Sequence, residues 1–172
     1  MTLACGMEIA LGSPDDLDGF VELLEEAGAW LWSREIPQWP PGSNRAQTGL
    51  IQSQLERGAL LCLRDPAEVL VGGCLLCREP YEAWRDLPGE AAYLHKLVVA
   101  RSAAGCDWGA RIVEHAERWT VEQGRALLRL DCWDGSVALR AYHRALGFTE
   151  LDAVREHGYE VRLFEKKLGA PS

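Results

Sequence analysis

Apolar and polar positions along the chain alternate between two periods, and the changes of period mark out its elements. Met7 to Leu11 reads as a short first strand. Ser13, Pro14, Asp15 and Asp16 form a helix start: a capping hydroxyl, proline at the first position and acids in the first turn. Leu17, Phe20, Val21 and Leu24 then repeat at helical spacing, in a helix that fades near Gly28 or runs on into Trp30 to Trp32. Prolines make the stretch from Ile36 to Gly42 a loop. Ser43 or Asn44 can cap a second helix that buries Leu50, Ile51 and Leu55 and ends at Gly58.

Two strands follow, Ala59 to Leu63 and Val69 to Cys77, turned by Asp65 and Pro66. A polar loop from Glu79 to Gly89 leads into a third apolar strand, Ala92 to Val99. A helix from about Gly109 to Gln123 turns Ile112, Val113, Ala116 and Trp119 inward and stops at Gly124. Leu127 to Cys132 is a strand, Ser136 to Leu146 a helix stopped by Gly147, and Phe148 to Leu151 with Tyr159 to Leu168 a closing antiparallel pair. The order β-α-α-β-β-β-α-β-α-β-β predicts the α/β class, with a mixed sheet of about six to seven strands flanked by four helices. No repeat, low-complexity tract or linker interrupts it, so residues 1–172 are expected to form a single domain.

Composition narrows the function classes. No apolar run approaches the roughly 18 residues that span a bilayer. The opening MTLACGMEIALGSPDD lacks the basic start and apolar stretch of a secretory leader. The expected place is therefore the cytoplasm, with no membrane partner. A net charge of −8 argues against nucleic acid and is mildly favourable to a cationic substrate, although solubility alone accounts for it equally well. Of the cysteines, Cys62, Cys74, Cys77 and Cys132 lie in apolar runs and read as small hydrophobes. Cys74 and Cys77 form a CxxC, but strand geometry points them to opposite faces, and no second pair completes a metal site.

The chemistry gathers at one strand-loop-helix unit: LHKLVV, then ARSAAGCDW, then GARIVEHAERW. Such a junction brings free backbone N–H groups and the positive end of a helix dipole to one point, which suits a pyrophosphate. At a fixed distance follows LLRLDCWDGSVALRAYHRALGFTEL, a strand and a helix ending in Leu146-Gly147-Phe148. From about Glu8 to Leu168, and most specifically from Tyr93 to Phe148, the chain resembles the GNAT superfamily of acyl-CoA-dependent N-acyltransferases.

The resemblance implies transfer of an acetyl or acyl group from acetyl-CoA to a primary amine of a small molecule by direct attack, with coenzyme A as product. It aligns Ala104, Gly105, Cys106, Asp107, Trp108, Gly109 and Ala110 with the family's pyrophosphate loop, usually R/Q-x-x-G-x-G/A. Leu97, Val98 and Val99 align with the end of the strand that lies along the cofactor; the N–H of Val98 or Val99 would hold the thioester carbonyl. Ser136 stands where the family has asparagine. Three departures follow: Ala104 replaces Arg or Gln, Asp107 replaces the first glycine, and His143 stands where the family usually has a tyrosine general acid. Asp tolerates the left-handed backbone region that the glycine would adopt.

His143, near its ordinary pKa, can donate a proton at neutral pH. Tyr142 is the second candidate acid, although its spacing with Leu139 and Leu146 also suits a packed core aromatic. His95 is the candidate base, because LHKLVV resembles the strand of the arylalkylamine N-acetyltransferase branch; a half-buried structural histidine weighs equally. Alternation places Tyr93, His95, Leu97 and Val99 on one strand face. Trp32, Trp39, Asp131 and Trp133 are candidate acceptor-binding residues. The tryptophans would stack on the acceptor or pack a lid, and Asp131 with Asp134 would add acidity or cap the helix near Ser136. A homodimer has room. The competing reading is a GNAT-fold binding or regulatory module without catalysis; a Rossmann-type enzyme fits poorly, lacking G-x-G-x-x-G after a first strand.

Overall fold

The protein is described by a computed structural model covering residues 6–169, so part of the N-terminal stretch assessed for a leader lies outside the described residues. Its strands are β1 (Glu8–Leu11), β2 (Ala59–Arg64), β3 (Leu70–Cys77), β4 (Ala91–Val99), β5 (Leu127–Trp133), β6 (Thr149–Glu156) and β7 (Tyr159–Lys167). Its α-helices are α1 (Leu17–Trp32), α2 (Ser43–Ala46), α3 (Thr48–Arg57), α4 (Trp108–Glu122) and α5 (Val137–Ala145). The strands form a seven-stranded mixed sheet in the order β1-β2-β3-β4-β5-β7-β6.

Two compact units divide the chain. The first takes the described residues up to Leu76 together with Lys96–His115; the second takes Cys77–His95 and the chain from Ala116 onward. In the first, β1 and β3 each pair antiparallel with β2. β2 and β3 are buried almost throughout, as a strand covered on both faces must be. Phe20 and Leu24 of α1, Leu60, Leu63, Leu75 and Leu76 fill the core of this unit. Ser13 and Asp16 form a reciprocal capping box at the 3-10 turn that leads into α1, and α1 continues to Trp32. At Gly58, which ends α3, a Cβ would lie 1.9 Å from the Leu76 carbonyl oxygen, so no other residue fits.

In the second unit β5 pairs parallel with β4 and antiparallel with β7, and β6 and β7 form the closing hairpin. Leu128, Leu130, Leu163, Phe164 and Trp84 are among its buried side chains. The buried Arg129 of β5 is neutralised by Glu165 at 2.7 Å and donates to the carbonyls of Leu87 and Pro88. The stretch from Glu79 to Gly89, expected to be a polar loop, is thereby tied down and carries the buried Trp84.

Three local expectations are corrected. The second helix is divided into α2 and α3, and neither Ser43 nor Asn44 caps it: Gly42 is the cap, and the Glu25 carboxylate accepts the amides of Gly42 and Arg45 at 2.8 Å each. Ile51 is 1% exposed but Leu50 is 53% exposed, since neighbours within α3 lie about 100° apart around its axis. Lys96, inside β4, has a φ of +55°, so Tyr93, His95, Leu97 and Val99 do not lie on one unbroken face. The inward stripe of α4, Ile112, Val113, Ala116 and Trp119, is buried as its spacing requires.

Candidate active site

The first unit carries the loop that leads from β4 into α4. After Ala100 a 3-10 turn, Arg101–Ala103, closes through the amides of Ala103 and Ala104. Gly105 then takes a φ of +84° and Asp107 one of +55°. These two left-handed residues turn the chain just before α4 begins at Trp108. Among the described residues the amides of Gly105, Cys106 and Asp107 donate to no backbone carbonyl, and the first-turn amides of α4 have no intrahelical acceptor. Ala104 to Asp107 are exposed, and a Cβ on Gly105 would meet nothing within 4 Å. Trp108 does not close this corner, since its side chain is buried with the Arg111 guanidinium 4.8 Å from its ring centroid. The residues present therefore fit a diphosphate: exposed main-chain donors at the positive end of a 15-residue helix. The exposed Asp107 carboxylate is a local charge opposed to it.

The second unit carries a polar cluster around β5. The Tyr81 hydroxyl donates to the Asp131 carboxylate, and Trp84 Nε1 donates to the same hydroxyl at 3.3 Å. The His95 ring lies on the Tyr81 ring, with centroids 3.8 Å apart and planes tilted by 51°. The β4/β5 ladder runs only from Ala91–Leu127 to Tyr93–Arg129, and this cluster lies where the ladder stops. Desolvation raises the Asp131 carboxyl to about 6, against the lowering effect of the Tyr81 hydrogen bond. Glu156, itself raised by burial, adds to the acidity, and the pKa of Tyr81 is pushed well above its ordinary value. A carboxylate that titrates near neutrality and is held by a fixed phenol can take a proton from an ammonium.

The helix α5 separates the two candidate acids, and it does so against expectation. His143 is 6% exposed, with its ring 5.2 Å from that of Phe164 and 6.3 Å from that of Phe148. Its Nδ1 is buried and has no hydrogen-bond partner. Burial lowers its pKa to about 4, so the ring is neutral at neutral pH and the premise of an imidazole near its ordinary pKa does not hold. Tyr142, expected on the packed side, is 38% exposed. Ser136 is the N-cap of α5 and accepts the Leu139 amide at 3.3 Å. Neither Asp131 nor Asp134 caps that helix: Asp131 is bound by Tyr81, and Asp134 pairs with Arg162 at 2.7 Å.

The remaining candidates scatter. Trp32 is 51% exposed at the end of α1, and Trp133 ends β5 half-buried. Trp39 has a φ of +55° and lies under the Lys96 ammonium, 5.7 Å from ring centroid to Nζ. Lys96 was legible as a lone cation in an apolar strand, yet alternation gave it no role. Tyr81, in a stretch with no periodic signal, could not have been singled out from sequence. Among the described residues no helix is long and apolar enough to cross a membrane.

Known proteins resemble this chain in sequence and in fold. The sequence profile of the Acetyltransferase (GNAT) family matches residues 24–148. The uncharacterized N-acetyltransferase YesJ of Bacillus subtilis (strain 168) is 30% identical over 174 aligned positions, which cover 98% of this chain and 94% of that protein. A GNAT-family acetyltransferase from Listeria monocytogenes 4b F2365 superposes with a TM-score of 0.76 at 23% identity, covering 94% of this chain and 95% of that one. The acetyltransferase yncA of Salmonella typhimurium, solved with its cofactor acetyl-CoA, superposes with a TM-score of 0.67 at 15% identity over 97% of this chain and 98% of that one. The chain belongs to the acetyltransferase (GNAT) family.

Proposed function

We propose that this chain is a single-domain N-acetyltransferase that moves an acetyl group from acetyl-CoA to the primary amine of a small molecule by direct attack. The observation that carries this reading is the Asp131 carboxylate, held by Tyr81 beside His95 and titrating near neutrality. Acetyl-CoA, when bound, supplies an activated acetyl carbonyl. The amides from Gly105 to Ala110 would hold its diphosphate, and the N–H of Val98 or Val99 would face its carbonyl oxygen. Asp131, with His95 next to Tyr81, takes the proton from the acceptor's ammonium so that a neutral amine attacks. The acidic surroundings of Asp131 and Glu156 favour a cationic acceptor in the first place. His143 is neutral and enclosed by phenylalanines, so Tyr142 is assigned the proton for the departing thiolate.

Thiol release measured with acetyl-CoA and a panel of primary amines tests the reading. Turnover that Asp131→Asn removes, with acetyl-CoA affinity retained, supports it. In parallel, Gly105→Val forces a side chain into a left-handed position at a cost of about 1–2 kcal/mol and is expected to weaken acetyl-CoA binding in calorimetry. The exposed Asp107 carboxylate in the phosphate loop favours the second reading, a binding module. Tight acetyl-CoA binding with no amine turned over decides for that module.

A further inference from the structure

The first unit contains a second set of polar groups, around Lys96 and Asn44. Lys96 Nζ donates to Asn44 Oδ1 at 2.7 Å. Asn44 is 1% exposed, and its Nδ2 is buried with no hydrogen-bond partner. An ammonium carries three donors and an amide nitrogen two, so this pair brings several N–H groups together with only one of them assigned. Leaving a buried donor without an acceptor costs about 1–3 kcal/mol.

The side-chain hydrogen bond of the cation goes to a neutral amide. Glu25, the carboxylate that acts on Lys96 electrostatically, has its oxygens occupied by the amides of Gly42 and Arg45. Burial lowers the Lys96 ammonium to about 8, which marks a charge that gains from an added anion. Lys96 and Trp39 each hold a φ of +55°, and together they set the ammonium over the indole. Two such departures, each of order 1–3 kcal/mol, persist where the surroundings impose them and point to a function. Gln38, next to Trp39, adds a buried side-chain oxygen with no partner.

We propose that Lys96 Nζ and Asn44 Nδ2 together bind the carboxylate of the acceptor, against the face of Trp39, so that the acceptor is an amino acid or an amine of that kind. The inference rests on the acetyl-transfer reading and names its substrate class. One cation and one neutral amide match a single negative charge; a doubly charged phosphate would stay under-compensated in so buried a place. Lys96 is also the residue after His95 in β4, so the proposed carboxylate contact and the candidate base are consecutive in the chain.

The test compares matched pairs with and without the carboxylate: alanine with ethylamine, and phenylalanine with phenethylamine, each assayed for thiol release with acetyl-CoA. The wild type is expected to favour the carboxylated member, and Lys96→Met to lower kcat/KM for that member by about 10- to 100-fold and for its partner far less. Asn44→Asp, which keeps an acceptor for Lys96 but replaces the orphan donor, is expected to reduce the same preference and guards against a folding failure of the first variant. Equal losses for both members would make Lys96 a general contributor to turnover and overturn the proposal. Weakened acetyl-CoA binding in Lys96→Met would assign the anion to the cofactor and overturn it as well.

If the wild type turns over no amine, the acetyl-transfer reading fails on its own. Calorimetry with N-acetylphenylalanine and N-acetylphenethylamine then decides the subsite. Binding of the acid alone, lost in Lys96→Met, supports it; equal binding of both, or of neither, overturns it.

Discussion

Asp131 and His143 lie in the same unit and both are desolvated, yet desolvation leaves them with opposite prospects. Asp131 is raised to about 6 and bound by the hydroxyl of Tyr81, whose ring carries that of His95. His143 is lowered to about 4 among phenylalanine rings, and its Nδ1 has no partner. Burial disfavours the charged form in each case, which moves an acid toward neutral pH and a base away from it. A group that burial brings toward neutrality, and that a partner holds in place, can exchange protons during turnover. One that burial takes away from it becomes packing.

The largest effect expected from this contrast is on turnover. Asp131→Asn should lower kcat/KM about 10²- to 10⁴-fold, the usual range for removing a positioned proton acceptor, with acetyl-CoA affinity unchanged in calorimetry. Unaltered kinetics would erase the distinction between the two groups.

Next comes stability. The His143 pKa lies below its unfolded value of 6.5, so its contribution is present above pH 6.5 and is lost as pH falls through about 4. The shift corresponds to about 3 kcal/mol. Urea unfolding of the wild type between pH 7 and pH 4 should show that loss, and His143→Phe should flatten it. A steep acid limb retained in the variant would show that other groups carry it.

Smaller still is a pH shift in activity. The Tyr81 hydrogen bond holds the Asp131 pKa down, so Tyr81→Phe should move the acidic limb of the kcat/KM profile upward from about 6. A downward move would mean that the limb belongs to another group. The smallest effect is on α5: Tyr142→Phe should slow turnover by less than the Asp131 change, since a thiolate is a good leaving group and solvent can protonate it. His143→Phe should leave activity within about 3-fold, consistent with a packing role. A His143 effect larger than that of Tyr142 would reverse their assignment.

Much of the frame was legible before any coordinates. Ser13-Pro14-Asp15-Asp16 marked a helix start because capping is a contact among residues close in sequence, and the capping box is there. The stripe of α4 was readable because four apolar positions at helical spacing can face only one side. Asp107 was expected to tolerate a left-handed backbone, and it does so at φ +55°. The start of α2 at Gly42 was not legible, because the amides of Gly42 and Arg45 are taken by the side chain of Glu25, which is distant in sequence. The exchange of Tyr142 and His143 failed for a similar reason. One step around a helix of nine residues decides which neighbour is buried, and that step is set by Phe148 and Phe164.

By itself, then, the sequence determined the order of elements, the glycine-bearing corner ahead of α4 and the family resemblance, all of which rest on local backbone preferences and short spacings. Tertiary structure alone decided which titratable groups meet. Tyr81 reaches Asp131 across 50 positions of chain and Lys96 reaches Asn44 across 52. Proton affinity depends on such neighbours and on the water they exclude, and neither is written in the spacing of residues along a strand or helix.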